Sequence, residues 1–514
     1  MNTQKPNPFL SAALYGLTHF DPGQSDTFPY HVKRGTFRVD PTQQPRISGG
    51  PVNIMNLAST DPNYMWACAT DRIAYVDCSN GQWRLVAEVG LPGVRRVGEA
   101  RLQQLIGEPF SSIDQVETVA MQILGEHPEM VTSNGLYTVA DCDNTVYVNS
   151  GAVISAIGLK DSDNPAAGLE VKRTLDTTTF FTPMAFPGYP PAVRLIGMSM
   201  TYDGHLIIGA FNGIAVIDRE FKTQPLVYNI EQGQFISNSF AVDENNGIYV
   251  ASGSFQPRAD GILRKLIWTG SGLSDAEEDG AWSSPYDGGD WAPAVKAGTG
   301  TGATPTLMGF GPDEDHLVVL TDGLNRMKIV AFWRDNIPAD FEQKAGAKSR
   351  RIADQFQITA GLPADTAWIQ SEQSVAVNGM GAFVVNNMVP KGHKDKLVDV
   401  LANGPAVAPP HGMERVAWDS KARSWRAAWT RGDVASTSMV PVASSASNLV
   451  FVNGYSKEDG WQVTGLDCDT GEVVHRTIFG SSNLGNGAYA LIQFLANGDL
   501  LFNSVAGPMR VRLV

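Results

Sequence analysis

One pattern recurs along the chain: an apolar stretch, a short polar turn, then a second, more apolar stretch ending in a small polar residue. It reads MSMTYDGHLIIGAF over Met198–Phe211, FAVDENNGIYVASG over Phe240–Gly253 and MGFGPDEDHLVVLTDG over Met308–Gly323. Further copies are YTVADCDNTVYVNS (Tyr137–Ser150), MNLASTDPNYMWACA (Met55–Ala69) and SVAVNGMGAFVVNN (Ser374–Asn387). MVPVASSASNLVFVNG (Met439–Gly454) and IQFLANGDLLFNS (Ile492–Ser504) complete a set of eight. Short apolar runs bounded by Gly, Asn and Asp predict strands. The turns Asp203-Gly204, Asn245-Asn246-Gly247 and Asn497-Gly498-Asp499 supply residues that tolerate the left-handed backbone of a tight hairpin.

A second module follows several copies: IAYVDCSNGQWRLV from Ile73, IAVIDREFKTQPLV from Ile214 and VTGLDCDTGEVVHRTI from Val463. In each, a strand ends at Asp77, Asp218 or Asp467, turns and begins another. Two hairpins in series make a four-stranded sheet, the unit of a β-propeller. The expected fold class is therefore all-β: a propeller of about eight four-stranded blades, seven being the alternative, closed by its N- and C-terminal strands and carrying a small helical insertion. Phrases such as DCDTG at Asp467–Gly471 and DENNGIYV at Asp243–Val250 resemble those of the quinoprotein-like and gluconolactonase-like propeller superfamilies, a likeness at the level of the repeat over most of the chain.

The domain reading is an N-terminal arm, 1–34, and a single propeller, 35–514, with a helical insert at 98–124 and a loop insert at 388–412. Leu102, Leu105 and Ile106 share one helical face, and Ile113, Val116, Val119 and Ile123 another, with Ser112 and Gln115 as a capping box. A short helical piece is expected around Lys394–Leu401. The last copy carries only a hairpin and a third strand, Met509–Val514, so GTFRVD (Gly35–Asp40) is expected to supply its outer strand and close the ring.

A formal charge of −14 repels polyphosphate backbones, and no basic run has interleaved aromatics, which argues against nucleic acid as a partner. No apolar stretch is long enough to span a bilayer, and the first twenty residues lack a continuous apolar segment, so the expectation is a cytoplasmic protein or the mature form of an exported one, with no membrane partner. Cys68, Cys78, Cys142 and Cys468 form no C-x-x-C or vicinal pair, which predicts reduced thiols.

Second-to-third-strand loops and blade-to-blade loops emerge on one face of a propeller, at the mouth of its channel, and both inserts and Ser271–Ala303 are expected there. His127, His393 and His411 fall in such loops. His205 and His316 fall in turns of the opposite face, and His475 on an outer strand, away from any site. His19 and His31 lie in the arm, unplaced. Asn149, Asn212, Asp322, Asn387, Asn453 and Asn503 recur at the ends of second strands. As a ring they would bind a substrate's oxygens or a divalent cation such as calcium; as single residues they would satisfy turn backbone. Asp322 and Glu372 are the best placed acid/base candidates, joined by His411 and His393, with Arg326 and Tyr455 as further substrate contacts. Trp282, Tyr286 and Trp291 would stack on an apolar ligand or fill blade seams. DAEEDG (Asp275–Gly280) lacks calcium-loop spacing, and AGTGTGATPT (Ala297–Thr306) lacks the Lys-Ser/Thr and helix of a phosphate cradle.

These features lead to an enzyme acting on a small organic molecule in an axial pocket by acid/base or cation-assisted chemistry, hydrolase- or lyase-like rather than redox. The alternatives are a non-catalytic protein- or carbohydrate-binding propeller and, third, the quinone-cofactor dehydrogenase that the resemblance implies. Against the last stand the missing vicinal cysteines typical of many such enzymes.

Overall fold

The computed structural model describes residues 2–513 except 13, 108, 126–132, 187–188, 291–295, 390, 393 and 395; His127, Trp291 and His393 thus lie outside the described residues. Each of the eight hairpins forms the first two strands of its own antiparallel sheet. The sheets succeed one another as Asn53–Gly90, Val139–Asp176, Leu195–Asn229, Phe235–Tyr286, Thr306–Gln357, Ala376–Ala435, Val442–Gly480 and Ile492–Val511, numbered here first to eighth. The third strands of the first, third and seventh sheets end at Asp77, Asp218 and Asp467, whose carboxylates accept turn amides, from Ser79 N–H in the first case and Glu220 N–H in the second. Predicted turns take the left-handed backbone they require: φ is 63° at Asn246, 89° at Gly204 and 84° at Gly498.

Inner strands of neighbouring sheets pack side by side, and the inner strand of the first lies against the eighth. Between sheets the buried apolar residues gather in several clusters, the largest of which joins the first, second, seventh and eighth sheets. Phe28, Phe451 and Phe494 meet with ring centroids 4.6 to 6.3 Å apart where the seventh and eighth sheets join, each burying on the order of 2–3 kcal/mol of apolar surface. Trp282 and Tyr286 belong to this kind of seam: Trp282 donates to the Arg334 carbonyl and Tyr286 to that of Ser252.

The helical insert divides into α1 (Glu99–Leu105) and α2 (Ile113–Leu124). Ser112 Oγ accepts the Gln115 amide as expected, but Gln115 Oε1 reaches back to Ser111 N–H rather than to Ser112, so the box is one residue wide of the predicted one. In the 388–412 insert, α3 spans Lys396–Ala402. Leu397, Val398 and Leu401 join Leu102, Val116 and Ile123 in one buried cluster, and Lys394 Nζ pairs with Asp114 and Glu117 of α2 at 3.3 and 2.8 Å. The two inserts form one lid. Among the described residues no helix is long and apolar enough to cross a membrane.

Two placements differ from expectation. Gly35–Arg38 does not complete the last sheet; it adds, parallel, outside Val473–Gly480 of the seventh. The edge of the eighth sheet is met instead by the following segment, where Arg46 bridges Met509 and Arg510 N–H bonds the Pro45 carbonyl. The 3₁₀ turn at Pro41–Gln43, capped by Asp40, bends the chain between the two edges. Ser271–Ala303 is also split. Leu273–Ser274 and Trp282–Tyr286 both pair with Gly261–Trp268, so the turn between them lies opposite the mouth and only the return from 287 onward reaches it.

The arm runs along the ends of the inner strands. Amides at or near the ends of inner strands donate to its carbonyls: Ala58 to Tyr15, Ala140 to Gly16, Val242 to Pro22, Leu307 to Gly23, Val377 to Ser25 and Ala443 to Asp26, at 2.7 to 3.1 Å. Asn7 Nδ2 bonds Met200 O of the third sheet, and Tyr15 Oη bonds Phe494 O of the eighth. All eight sheets are touched at the end from which the first-to-second turns emerge. Most inner strands are only two or three residues long, which at ~3.3 Å per residue leaves the arm about 10 Å or less from the mouth loops.

Candidate active site at the axis

The loops that lead into the inner strands bring a set of buried polar side chains to the mouth end of the axis. Asp322 follows the second strand of the fifth sheet. Its Oδ1 accepts the amides of Leu324 and Lys328, while Oδ2 has no hydrogen-bond donor among the described residues and lies 3.7 Å from Lys328 Nζ. Burial pushes this carboxyl up to about 7, against the pull of the two amides and Lys328. Lys296, on the return segment after the fourth sheet, is 2% exposed. Burial pushes its ammonium down to about 8, opposed by the charges of Asp322 and Glu372. Gln370 ties the two: its Oε1 accepts from Lys296 Nζ at 3.0 Å and its Nε2 donates to the carbonyls of Asp322 and Leu324.

Glu372 stands two residues further on, its amide held by Asn387 Oδ1, and its carboxylate pairs with Lys396 Nζ of α3 at 2.6 Å. Lys396 also sits over the Tyr489 ring, 5.3 Å from its centre, so the lid places a cation on the axial cluster. The charge of Glu372 is felt by Lys296, Tyr137 and Tyr489. Tyr137 takes φ 54° just before the inner strand of the second sheet, and its hydroxyl donates to Asn238 Oδ1, with Thr304 Oγ1 at 3.4 Å. Burial holds its phenol up at about 12.

The other sequence candidates are distributed differently. Asn149 donates to Ser133 O and accepts Leu136 N–H; Asn387 donates to Thr437 O; Asn453 donates to Gln462 O and Gly485 O. Asn503 bonds Leu491 O, Gln493, Asn53 and Asn56 across the seam of the eighth and first sheets. Asn212 bonds Thr182 O. Their amides are engaged by backbone and by one another. Arg326 donates to the Ala364 carbonyl, and Tyr455 packs edge-on against Trp461. His411 opens the third strand of the sixth sheet with an exposed side chain. His205 and His316 pair with Asp203 and Asp335. Among the described residues no three His, Cys, Asp or Glu side chains converge as metal ligands, and all four cysteines are free. Two clefts lie away from the axis, one of about 380 Å³ beside Phe37, Gln44 and Arg512 and one of about 220 Å³ beside Tyr228 and Arg264.

Sequence reasoning missed Lys296, Gln370, Tyr137 and Lys396. Lys296 had a signal: a single cation inside AVKAGTGTGATP, where the glycines allow close backbone approach, Gly300 against Gly253 and Gly323 against Thr299 O.

No family model matches the chain. Among curated proteins, an uncharacterized protein of Archaeoglobus fulgidus is 30% identical over 329 residues, a match covering 62% of this chain and 61% of that protein, so the chain spans less than two thirds of its length. Among solved structures, the quinohemoprotein alcohol dehydrogenase of Comamonas testosteroni superposes over 97% of this chain and 76% of its own, with a TM-score of 0.52 and 12% identity. A europium-containing methanol dehydrogenase covers 96% and 89% at a TM-score of 0.49 and 9% identity. Likeness at such identity speaks for the fold alone, and with the sheets described above the chain is a β-propeller.

Proposed function

We propose that the eight sheets are the blades of one closed ring and that its axial cluster is the active site of an enzyme that cleaves a carbon–oxygen bond of a small organic molecule, by hydrolysis or elimination. The observation that carries this reading is the pair Asp322 and Lys296, buried, tied through Gln370, and moved from opposite ends of the scale to about 7 and about 8. Oppositely perturbed groups in one cluster are a hallmark of acid/base sites. Between these values Asp322 is ionised and Lys296 charged. The free Oδ2 of Asp322 then takes a proton from water or from the substrate, and the Lys296 ammonium stabilises the negative charge that develops on the substrate oxygen. Glu372 and Lys396 hold the lid over the reaction, excluding water.

Screening the parent, Asp322→Asn and Lys296→Met against esters, lactones and hydroxy acids tests this. The expected result is turnover of one class with a bell-shaped pH profile limited near 7 and 8, falling about 100-fold or more in either variant. Binding without turnover in every class, read by calorimetry, would support the ligand-binding alternative.

A further inference from the structure

Among the described residues two histidines are almost fully buried, and they differ in one respect. His475 uses both ring nitrogens, Nδ1 toward Lys33 O at 2.6 Å and Nε2 toward Thr477 Oγ1 at 2.9 Å, as a structural histidine does. His19 uses one. Its Nδ1 lies 2.8 and 2.9 Å from the two oxygens of Asp26, so Nδ1–H donates to the carboxylate, and no bond from Nε2 is found among the described residues. Both members of the pair, 2% and 0% exposed, belong to the arm. The imidazole stacks on Tyr137 at 5.8 Å and 23°, and the Tyr137 phenol senses both Asp26 and Glu372. Asp26 of the dyad and Glu372 of the cluster thus both act on one ring.

The backbone there is unusual as well. His19, Gln24 and Asp26 hold φ of 61°, 58° and 56°, a region that glycine would occupy without strain. Each such residue costs on the order of 1 kcal/mol, and clusters of them mark sites where geometry is imposed for function. An arm needed only as a plug would be served by glycine and apolar residues.

We propose, building on the axial-site reading, that His19 is the general acid of that site, with Asp26 orienting it. The scissile carbon–oxygen bond breaks with its electron pair on the leaving oxygen, and the proton on Nε2 passes to that oxygen. The neutral imidazole keeps Nδ1–H on Asp26. The proton that Asp322 takes from the attacking water, or from the substrate in an elimination, returns to Nε2 through solvent when product leaves, so the enzyme is regenerated with no co-reactant beyond water. The substrate class is narrowed to molecules whose leaving oxygen needs a proton, such as alkyl esters, lactones or β-hydroxy acids.

Histidine acylation by diethyl pyrocarbonate, mapped by peptide mass on the full chain, reads whether Nε2 of His19 is open to a small reagent. His19 is expected to react at least tenfold faster than His475; equal inertness of the two overturns the proposal without any turnover measurement. The second arm compares a nitrophenyl ester, whose leaving group needs no proton, with the alkyl ester of the same acid. His19→Gln, whose side-chain amide can still donate to Asp26, is expected to slow the alkyl ester tenfold or more and the nitrophenyl ester little. An equal loss on both overturns the general-acid role. Were Asp322→Asn and Lys296→Met to leave both esters unaffected, the axial reading itself would fall, whatever the acylation of His19 shows.

Discussion

Asp322 and Lys296 titrate in opposite senses, which ties stability to pH in an unusual way. A carboxyl raised from 3.8 to about 7 keeps its proton in the native state, so the native state is fully favoured below about 4 and loses stability as pH rises to 7. An ammonium lowered from 10.5 to about 8 favours the native state above 10.5 and loses that contribution as pH falls to 8. Each effect is on the order of 3–4 kcal/mol for a buried group. Together they predict a trough in thermal stability between pH 7 and 8, where ionised Asp322 and charged Lys296 coexist; Asp21 and Asp26, both raised to about 6, deepen its acid side. Calorimetry across pH 4 to 10 checks this, and Asp322→Asn is expected to flatten the acid limb and raise Tm above pH 7 while turnover falls. A variant that melts below the parent at pH 8 would show that ionised Asp322 stabilises the fold. Of the site, Asp322 and Glu372 were legible because strand periodicity puts them at the ends of apolar runs. Lys296 and Tyr137 were not, since what makes them special is burial, set by loops with no period.

Hairpins were legible for a reason visible in the turns. In the second and fourth sheets Asp141 and Asp243 each accept two turn amides on Oδ1, Thr145 and Gly247 N–H among them, and the hydroxyl of a tyrosine six residues on, Tyr147 or Tyr249, on Oδ2. Local chemistry closes these turns, so local sequence reports them. Asp243→Ala, which strands two amides and a buried hydroxyl, is expected to cost about 2–4 kcal/mol, and Tyr249→Phe about 1 kcal/mol, by denaturant unfolding. Equal costs would mean that the turn amides find water instead. The lid was half legible: its helices follow from apolar spacing, but the union of α2 and α3 joins residues far apart in sequence. Leu401→Ala is expected to cost about 2–4 kcal/mol and to speed hydrogen exchange first in α3 and α2, leaving the sheets protected.

At the scale of the molecule an arm at 1–34 was read but its course was illegible, because an extended segment that bonds strand ends one at a time carries no hydrophobic period. The strand Gly35–Arg38 was expected on the last sheet and lies on the seventh, since edge pairing is weakly specified by pattern. Deleting 2–26 would leave the amides of Ala58, Ala140, Val242, Leu307, Val377 and Ala443 without their acceptors around the axis. The expected result is a fall in Tm of about 10 °C or more, or insoluble chain, by calorimetry; an unchanged Tm would make the arm peripheral.

The arm's course also has a temporal side. Tyr15 is synthesised 479 residues before Phe494, the acceptor of its hydroxyl, and Asp26 long before Ala443. During translation the arm has only its earliest partners, at Ala58 and then Ala140, while its later ones do not yet exist. Sheets can form in succession as they emerge, each from local hairpins, but the arm can finish docking only after the last. Completion of the arm's contacts is therefore a late event of folding, and a nascent or C-terminally truncated chain carries its first sheets before the arm is fully docked.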